Sequence, residues 1–169
     1  VATLFMFVSL GDLLGRLGSA WISDHIGRRW TMFGYGLIGA AGALVAALST
    51  RMVHGDDVGS AGHIFFVGIF IIMMFGDGAF GILNAFGGEQ FPTEARSTGL
   101  GLGYGIGAIA KIVGPLLMGA MIGSDNLKEL AHPLAAVFPA FLFFAAMLAL
   151  GGFVYMLARE TKGEVLEDI

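Results

Sequence analysis

Residues 98–122 read TGLGLGYGIGAIAKIVGPLLMGAMI, a run of 25 residues in which Lys111 is the one charged side chain. A helix needs roughly 20 consecutive apolar residues to cross the ~30 Å hydrocarbon core of a bilayer. The run is too long for a β-strand and lacks the alternation of one, and an open sheet could not satisfy its backbone hydrogen bonds in lipid. This stretch is therefore predicted to be a transmembrane helix.

Four more apolar runs of similar length lie along the 169-residue chain. Only 13% of the residues are charged, against about 25% in soluble globular domains, so most of the chain is expected to lie in a lipid bilayer. The sequence opens inside an apolar run at Val1, and we expect it to be cut from a longer protein. The predicted fold class is an all-α membrane protein with five transmembrane helices in one domain, residues 1–169. The predicted spans are Val1–Ile22, Trp30–Ser49, His63–Phe86, Thr98–Ile122 and Pro133–Ala158.

The basic residues are distributed unequally between the two sides of the membrane. Cytoplasmic loops of membrane proteins carry an excess of lysine and arginine. The second and fourth linkers contain only Arg51 and Lys128, whereas the first and third linkers and the tail are richer in basic residues. This bias predicts a multi-pass protein of the plasma or inner membrane with a cytoplasmic C-terminus. The basic residues on that side are Arg28, Arg29, Arg96, Arg159 and Lys162.

Glycine is concentrated in the fourth span. Gly99, Gly103 and Gly107 follow one another at four-residue spacing, and Gly101 and Gly105 form a second row beside them. Small residues at this spacing allow two helix backbones to approach closely in lipid. We therefore expect this span to pack tightly against a neighbouring helix.

Three short motifs fall in the linkers that are predicted to be cytoplasmic. The first is Gly15-Arg16 followed by DHIGRR at 24–29, the second is EQFPTEAR at 89–96, and the third is RETKG at 159–163. The first resembles the signature between the eighth and ninth helices of the major facilitator superfamily. The second and third resemble the E-x-F-P-T-x-x-R segment and the P-E-T-K-G tail of its sugar porters, with Arg159 where the family usually has proline.

This resemblance extends from the eighth helix to the tail and covers the whole chain. It implies a partial C-terminal six-helix bundle of a twelve-helix transporter, without the N-terminal bundle that would be its partner. Alternating access in such carriers needs two bundles that rock about a site at the bilayer midplane. Half of a substrate site is therefore expected to lie outside this chain.

The charged residues of the three motifs are candidates for a cytoplasmic gate. Gly27 permits a tight turn, which leaves Arg28 and Arg29 at the membrane surface within reach of carboxylates in the other two motifs. Arginine–carboxylate pairs there would stabilise one conformation of a carrier and break in another. The alternative is that these arginines only set the topology and contact anionic headgroups. The predicted gate residues are Asp24, Gly27, Arg28, Arg29, Glu89, Arg96 and Glu160, with Glu94 a further possible partner of the arginines.

Two charged residues, Asp77 and Lys111, lie deep inside predicted spans. Each costs about 2.5–3.5 kcal/mol at the centre of a membrane helix on insertion scales. Both lie roughly 20 Å from the linker that joins their spans, at ~1.5 Å per residue, so an ion pair or a shared site is geometrically possible. Lys111 beside Phe80, Asn84 and Tyr104 would suit an organic carboxylate, and Asp77 is a candidate proton carrier. The alternative is a static buried pair that keeps two helices in register.

Other polar residues have simpler interpretations. Asp12 and Arg16 stand one helical turn apart in the first span and are expected to neutralise each other. The histidines lie in or beside linkers without the spacing of metal ligands, so no metal site is predicted. They are His25, His54, His63 and His132.

The tenth helix of the family pattern is where this sequence departs from sugar porters. Asn84 stands where they usually have a sugar-stacking tryptophan, and their G-P-x-P-W run reads FGILN at 80–84. A basic residue just before Gly-Pro, here Lys111, is more like aromatic-acid:proton symporters, which commonly have arginine there. The resemblance thus implies proton-coupled symport of a small organic anion, an aromatic or other carboxylate. A sugar or polyol porter is the alternative.

A non-transporting membrane module, such as a sensor or assembly partner, is a different class that five helices also allow. Asp77 and Lys111 argue against it, because a passive module has little reason to keep either charge. The sequence shows no nucleophile–base set, metal-ligand spacing or phosphate-binding loop. We therefore expect neither an enzyme nor a cofactor, and no nucleic-acid partner.

Overall fold

The computed structural model describes residues 2–52, 59–123 and 136–163. These ranges form five long helical stretches and contain no β-strand, which confirms the predicted all-α membrane fold. The first two stretches are α1 (Ala2–Ile26) and α2 (Arg28–Ser49), and the third begins with α3 (Gly59–Ile71). After α3 come a π-helical segment (Ile72–Asp77), α4 (Phe80–Glu89), α5 (Arg96–Ile122) and α6 (Phe138–Tyr155).

Four of the five stretches are long and apolar enough to cross a membrane: α2, the continuous run Gly59–Glu89, α5 and α6. Helix α1 matches them in length with 25 residues. It differs because Asp12, Arg16 and Asp24 interrupt its apolar surface. These charged residues become important for the site.

The helix boundaries differ from the predicted spans at several points. Helix α1 continues to Ile26, and Gly27 alone separates it from α2, whereas the sequence predicted a linker over 23–29. Gly27 adopts φ = 106°, a backbone conformation open to glycine at no steric cost, so one residue is enough to turn the chain. Val1 and Pro133, where two of the predicted spans begin, lie outside the described residues. The same is true of His54, Lys128 and His132.

The third span is broken near its middle. The N–H of Gly78 donates to the carbonyl of Met73 at 3.1 Å, the five-residue spacing of a π-helix, and a turn at 78–79 separates this segment from α4. Short π-helical segments inside α-helices occur frequently at functional sites. The break changes the helical phase between Asp77 and Phe80, so these two residues do not follow one regular helical face.

Helix α2 forms the centre of the bundle and packs on its neighbours through glycines. A Cβ added at Gly36 would lie 2.8 Å from the Cα of Gly152 in α6, and one at Gly39 would lie 3.0 Å from the Cα of Gly76. Because these distances are shorter than real Cβ contacts, only glycine allows the helices to come this close. Small apolar clusters, such as Ala43 with Ile72 and Ala145, fill the space between these crossings.

Helix α5 does not pack against a neighbouring helix in the way that its glycine spacing predicted. Within the described residues, a Cβ added at Gly101, Gly103, Gly105 or Gly107 meets nothing within 4 Å, and only Gly99 touches a neighbour, the ring of Phe91. No residue of α5 is buried by the described part of the chain. The expected tight packing of this glycine stripe is therefore absent among the described residues, and close helix crossings occur at glycines of α1 and α2 instead.

Candidate functional site

A cavity of about 370 Å³ lies between α4 and α5 and is bounded on one side by Tyr155 at the end of α6. Its wall is largely apolar, with aromatic rings from both helices. Lys111 is the one charged side chain in this wall, and Asn84 is the one amide. The lining residues are Phe80, Leu83, Asn84, Gly87, Phe91, Gly99, Leu100, Gly103, Tyr104, Gly107, Ala108, Lys111 and Tyr155.

Glycines give this cavity its shape. Gly99, Gly103 and Gly107 present no side chain on the face of α5 that turns towards α4. The stripe that was expected to join two helices instead leaves room between them. Space of this size, with few polar groups in an apolar wall, is typical of a small-molecule site.

Lys111 and Tyr104 form the polar end of the cavity. The Nζ atom of Lys111 lies 6.0 Å from the centre of the Tyr104 ring, two helical turns away on α5. This is the limit at which a cation is attracted by the face of an aromatic ring. An ammonium group beside aromatic walls can bind an anion that has a flat apolar body.

The structure brings together four of the five residues that the sequence proposed for substrate and proton binding. Phe80, Asn84, Tyr104 and Lys111 all line the cavity. Asp77 does not line it, and within the described residues no ion pair joins Asp77 to Lys111. The pairing that the sequence allowed is not formed.

Asp77 pairs with Arg16 of α1 instead. The Arg16 Nη2 atom lies 2.6 Å from Asp77 Oδ2, and the Arg16 Nε atom lies 2.9 Å from Asp12 Oδ1. The pair of Asp12 with Arg16 was predicted and is confirmed, whereas the link from Arg16 to Asp77 was missed. We call Asp12, Arg16 and Asp77 the charge triad.

The backbone explains why Asp77 reaches α1. A Cβ at Gly15 would overlap the Met74 carbonyl, and one at Gly78 would come within 3.0 Å of the Cα of Gly15. Ser19 of α1 also places its hydroxyl 2.8 Å from the carbonyl of Gly78, at the helix break. Helix α1 therefore crosses the third span at its irregular segment, and Arg16 faces the residue that precedes the break. A helical sequence pattern gives no sign of such a break.

At the end of the molecule predicted to be cytoplasmic, Arg28 joins α1, α2 and α4. Its guanidinium lies 2.7 Å from Asp24 and donates to both oxygens of Glu89, at 3.3 and 3.4 Å. It also donates to the Ser23 hydroxyl at 2.7 Å. The predicted contact of Arg28 with Glu89 is present, while no ion pair joins the exposed Glu94 to Arg28 or Arg29 in the described part of the chain.

Glu160 contacts the start of α2 in a way that the sequence did not predict. Its carboxylate accepts hydrogen bonds from the backbone N–H groups of Arg28, at 2.8 Å, and Arg29, at 3.1 Å. The same carboxylate accepts from the backbone of Thr161 and Lys162, at 3.1 and 3.2 Å. The tail motif thus binds the backbone of the first motif and not its guanidinium groups.

The other gate residues attach neighbouring segments to this cluster. Arg29 Nη1 lies 3.5 Å from the carbonyl of Met156, and Arg96 Nε donates to the carbonyl of Gly88 at 3.0 Å. Thr161, which sequence reasoning did not single out, donates from its hydroxyl to Glu89 at 2.5 Å. Its place inside the RETKG motif was the available signal.

Further bonds hold the tail against the ends of α1 and α4. Gln90 and Arg159 exchange two hydrogen bonds, at 2.9 and 3.1 Å, and Lys162 donates to the carbonyl of His25. All three sequence motifs therefore meet in one polar cluster at the same end of the bundle. We call this set of contacts the end cluster.

Helices long and apolar enough to cross a membrane, a lysine-containing cavity between α4 and α5 and a polar cluster at one end of the bundle are features of an integral membrane protein. The profile of the family described as "Sugar (and other) transporter" matches residues 2–169. The chain belongs to this family of the major facilitator superfamily, as the motifs predicted.

Individual relatives are transporters as well. NiaP of Bacillus subtilis, a protein named for niacin and nicotinamide transport, is 32% identical over 162 residues, covering 96% of this chain and 36% of that protein. The alpha-ketoglutarate permease of Escherichia coli is 29% identical, over 96% of this chain and 33% of its own length. The gallate transporter of Pseudomonas putida is 30% identical, over 89% of this chain and 31% of its own length. The chain spans about a third of the length of these relatives, and no solved structure matches it.

Proposed function

We propose that the protein containing this chain is a proton-coupled symporter of small organic anions, and that the cavity between α4 and α5 is this bundle's half of the substrate site. The observation that carries the proposal is Lys111, the one charged side chain in a wall that is otherwise apolar and aromatic except for the amide of Asn84. A charge inside a membrane-spanning helix is expensive and usually marks a substrate or ion pathway. A carboxylate substrate would supply the missing counter-charge.

The rest of the cavity wall suits the body of such a substrate. Tyr104 next to Lys111 offers a ring face on which a planar group can stack, and Phe80 and Phe91 add apolar surface. The amide of Asn84 can donate to and accept from a polar substituent. Niacin, α-ketoglutarate and gallate, which name three of the relatives, are all carboxylates when ionised.

Proton coupling is proposed for Asp77. It lies at the helix break, beside the cavity but outside its wall, and it is bound by an arginine that already has Asp12 as a partner. A carboxylate in a membrane-spanning segment is a suitable proton carrier when its cationic partner also pairs with a second carboxylate. In this scheme Asp77 binds the proton and Lys111 binds the anion.

The end cluster is proposed as the cytoplasmic gate. Arg28 links three helices through Asp24 and Glu89, so the ends of α1, α2 and α4 are held together while these bonds persist. Alternating access, in which this bundle rocks against the N-terminal one, would require them to break or rearrange. The same assignment places the C-terminus in the cytoplasm and the protein in the plasma or inner membrane.

A sugar or polyol porter is the second candidate. Asn84, Tyr104 and Tyr155 would provide hydrogen bonds for a neutral polyhydroxylated solute. Lys111 distinguishes the two candidates, because a neutral substrate leaves its charge uncompensated.

The test is uptake by the full-length carrier in proteoliposomes, with niacin, α-ketoglutarate, gallate and glucose as labelled probes. We expect an inward proton gradient to drive uptake of at least one of the carboxylates. Lys111→Ala should reduce this uptake by about tenfold or more, since a lost charge-assisted bond costs about 1.5–3 kcal/mol. Lys128→Ala, in the linker that the sequence predicts between the fourth and fifth spans, is the matched control and should leave uptake unchanged. Uptake of glucose alone, or full carboxylate uptake by Lys111→Ala, would refute the proposal.

A further inference from the structure

The charge triad contains two carboxylates and one guanidinium, on α1 and in the π-helical segment. Asp12 and Arg16 are one turn apart on α1, whereas Asp77 reaches Arg16 from the third span. Of the elements packed against the π-helical segment, α2 presents Tyr35, whose hydroxyl donates to the Gly15 carbonyl at 3.2 Å. His63 of α3 bonds the carbonyl of Gly59, at the far end of that helix.

The charges of the triad do not balance when both aspartates are ionised, since the sum is then −1. Binding one proton makes the triad neutral, which is the favoured state in a low-dielectric environment. Asp12 stays beside Arg16 because both belong to the same helix. A proton on Asp77 therefore removes the one ion pair that joins α1 to the third span among the described residues, and it leaves the pair on α1 intact.

The released arginine would lie next to the substrate cavity. The Cζ atom of Arg16 lies 5.9 Å from the centre of the Phe80 ring, and the same ring lines the cavity that contains Lys111. The Arg16 side chain is 43% exposed in this chain, and its bond to Asp12 is made by Nε, not by the Nη2 atom that binds Asp77. A single aromatic ring separates the triad from the cavity.

We propose that Arg16 is a second, switchable cation of the substrate site. Ionised Asp77 holds the Arg16 Nη2 group; when a proton binds Asp77, that group is released and the substrate carboxylate takes the place of Asp77. The proton comes from water, no covalent bond other than the carboxyl O–H bond forms on the protein, and the guanidinium has two anionic partners both before and after the exchange. The inference rests on the proposed function, since it requires an anionic substrate and a coupled proton, and it adds the residue that couples them.

The consequence is mutual reinforcement of proton and anion binding. If acid releases Arg16 for the substrate, acid must tighten substrate binding, and substrate must favour proton uptake by the same factor. Coupling between two such sites typically changes affinity by about 5–150-fold. Arg16 is thus a substrate-contacting group in one protonation state and a partner of Asp77 in the other.

The experiment measures the Kd of the purified full-length carrier for niacin in mildly acidic and mildly alkaline buffer, where niacin stays ionised. Wild-type protein should bind about fivefold or more tightly in acid. Asp77→Asn, which mimics the protonated residue, should bind with the acid affinity in both buffers. Arg16→Gln should bind weakly in both. Asp12→Asn leaves Asp77 as the one carboxylate of the triad on Arg16, so its pH dependence should persist but move to lower pH.

The outcomes separate this inference from the proposed function. If the wild-type protein binds niacin more tightly in acid but Asp77→Asn keeps that dependence, or Arg16→Gln binds like wild type, the switch is refuted while anion transport stands. If the wild-type protein binds none of niacin, α-ketoglutarate and gallate in either buffer, the proposed function fails and this inference with it. A pH dependence lost in Asp12→Asn but not in Asp77→Asn would refute the assignment of the proton.

If Asp77→Asn does not fold, infrared spectroscopy tests whether niacin binding protonates a carboxyl group. In both wild type and Asp12→Asn, niacin added at constant mildly acidic pH should increase the band of a protonated carboxyl group. The absence of this increase in either protein would overturn the proposal.

Discussion

The carboxylate of Glu160 lies 2.8 Å from the backbone nitrogen of Arg28 and so caps the first turn of α2 from a segment 132 residues away. The first backbone N–H groups of a helix have no partner within the helix, and they attract negative charge. Gly27, the residue before α2, has no side chain that could cap it. The tail therefore completes a helix that the local sequence leaves open, and the RETKG and DHIGRR motifs form one structural unit.

Glu160→Gln should destabilise the protein by about 0.5–2 kcal/mol, because the amide keeps the shape of the cap but loses its charge. The measurement is the Tm of the full-length carrier, followed by tryptophan fluorescence. Glu94→Gln is the control and should leave the Tm unchanged, since Glu94 is exposed and pairs with neither Arg28 nor Arg29. Equal effects of the two substitutions would show that the cap contributes nothing specific.

Gly27→Ala should destabilise the same end of the bundle by about 1–3 kcal/mol, because the backbone conformation of Gly27, φ 106° and ψ 155°, is essentially restricted to glycine. A second effect adds to this, because the new methyl would lie 2.6 Å from Glu160 Oε2. Gly34→Ala in α2 is the control, since a methyl there meets nothing within 4 Å. Thermal unfolding of the two variants side by side gives the comparison, and a neutral Gly27→Ala would contradict the observed turn.

Arg28→Glu and Glu89→Arg should each reduce uptake, and the double variant should recover part of the loss. Contacting charged residues typically show coupling of about 0.5–3 kcal/mol in such cycles. Recovery should be incomplete, because Arg28 also binds Asp24 and Ser23. Combining Arg28→Glu with Glu94→Arg is the control and should recover nothing. Strictly additive losses of uptake for the Arg28 and Glu89 substitutions would contradict the proposal that the end cluster is a gate.

The sequence predicted those features of the fold that depend on hydrophobic length and local motifs. The run at 98–122 was long enough to be a membrane helix whatever its neighbours, and α5 covers it completely. The contact of Arg28 with Glu89 followed from two motifs on the same side of the membrane. Neither prediction required knowledge of how the helices cross.

What the sequence could not predict depends on helix crossings and on irregular backbone. Asp77 and Lys111 lie at similar depth on spans that follow each other, so their pairing was the simplest expectation. The π-helical segment and the close crossing at Gly15 and Gly78 turn Asp77 towards α1 instead. Regular helical spacing cannot show such a change of direction, because it assumes an unbroken helix.

Glycine position illustrates the same limit. The regular stripe on α5 looked like a packing surface, yet close helix crossings use Gly15 on α1 and Gly36 and Gly39 on α2. Spacing identifies glycines on one face of a helix, but it does not tell whether a neighbouring helix or an open cavity lies opposite. On α5 the stripe borders the cavity.

Gly36→Ala should therefore lower the Tm of the carrier clearly, since its methyl would lie 2.8 Å from the backbone of Gly152 and push α2 away from α6. Overpacking of this kind typically costs about 1–3 kcal/mol. Gly62→Ala in α3 should be neutral or slightly stabilising, because a methyl there contacts nothing within 4 Å and alanine favours the helix. Similar Tm values for both variants would contradict the backbone contact between α2 and α6.

Tyr104 provides a test of how the cavity recognises its substrate. If the ring face beside Lys111 stacks on a planar carboxylate, Tyr104→Phe keeps the ring and should leave the KM for niacin within about twofold. Tyr104→Ala removes it and should raise the KM by about five- to tenfold, since an aromatic contact contributes about 0.5–1.5 kcal/mol beyond its buried area. For α-ketoglutarate, which has no ring to stack, the alanine variant should have a smaller effect. Equal losses for niacin and α-ketoglutarate would instead show that Tyr104 acts by holding Lys111 in place, 6.0 Å from its ring, and not by contacting the substrate.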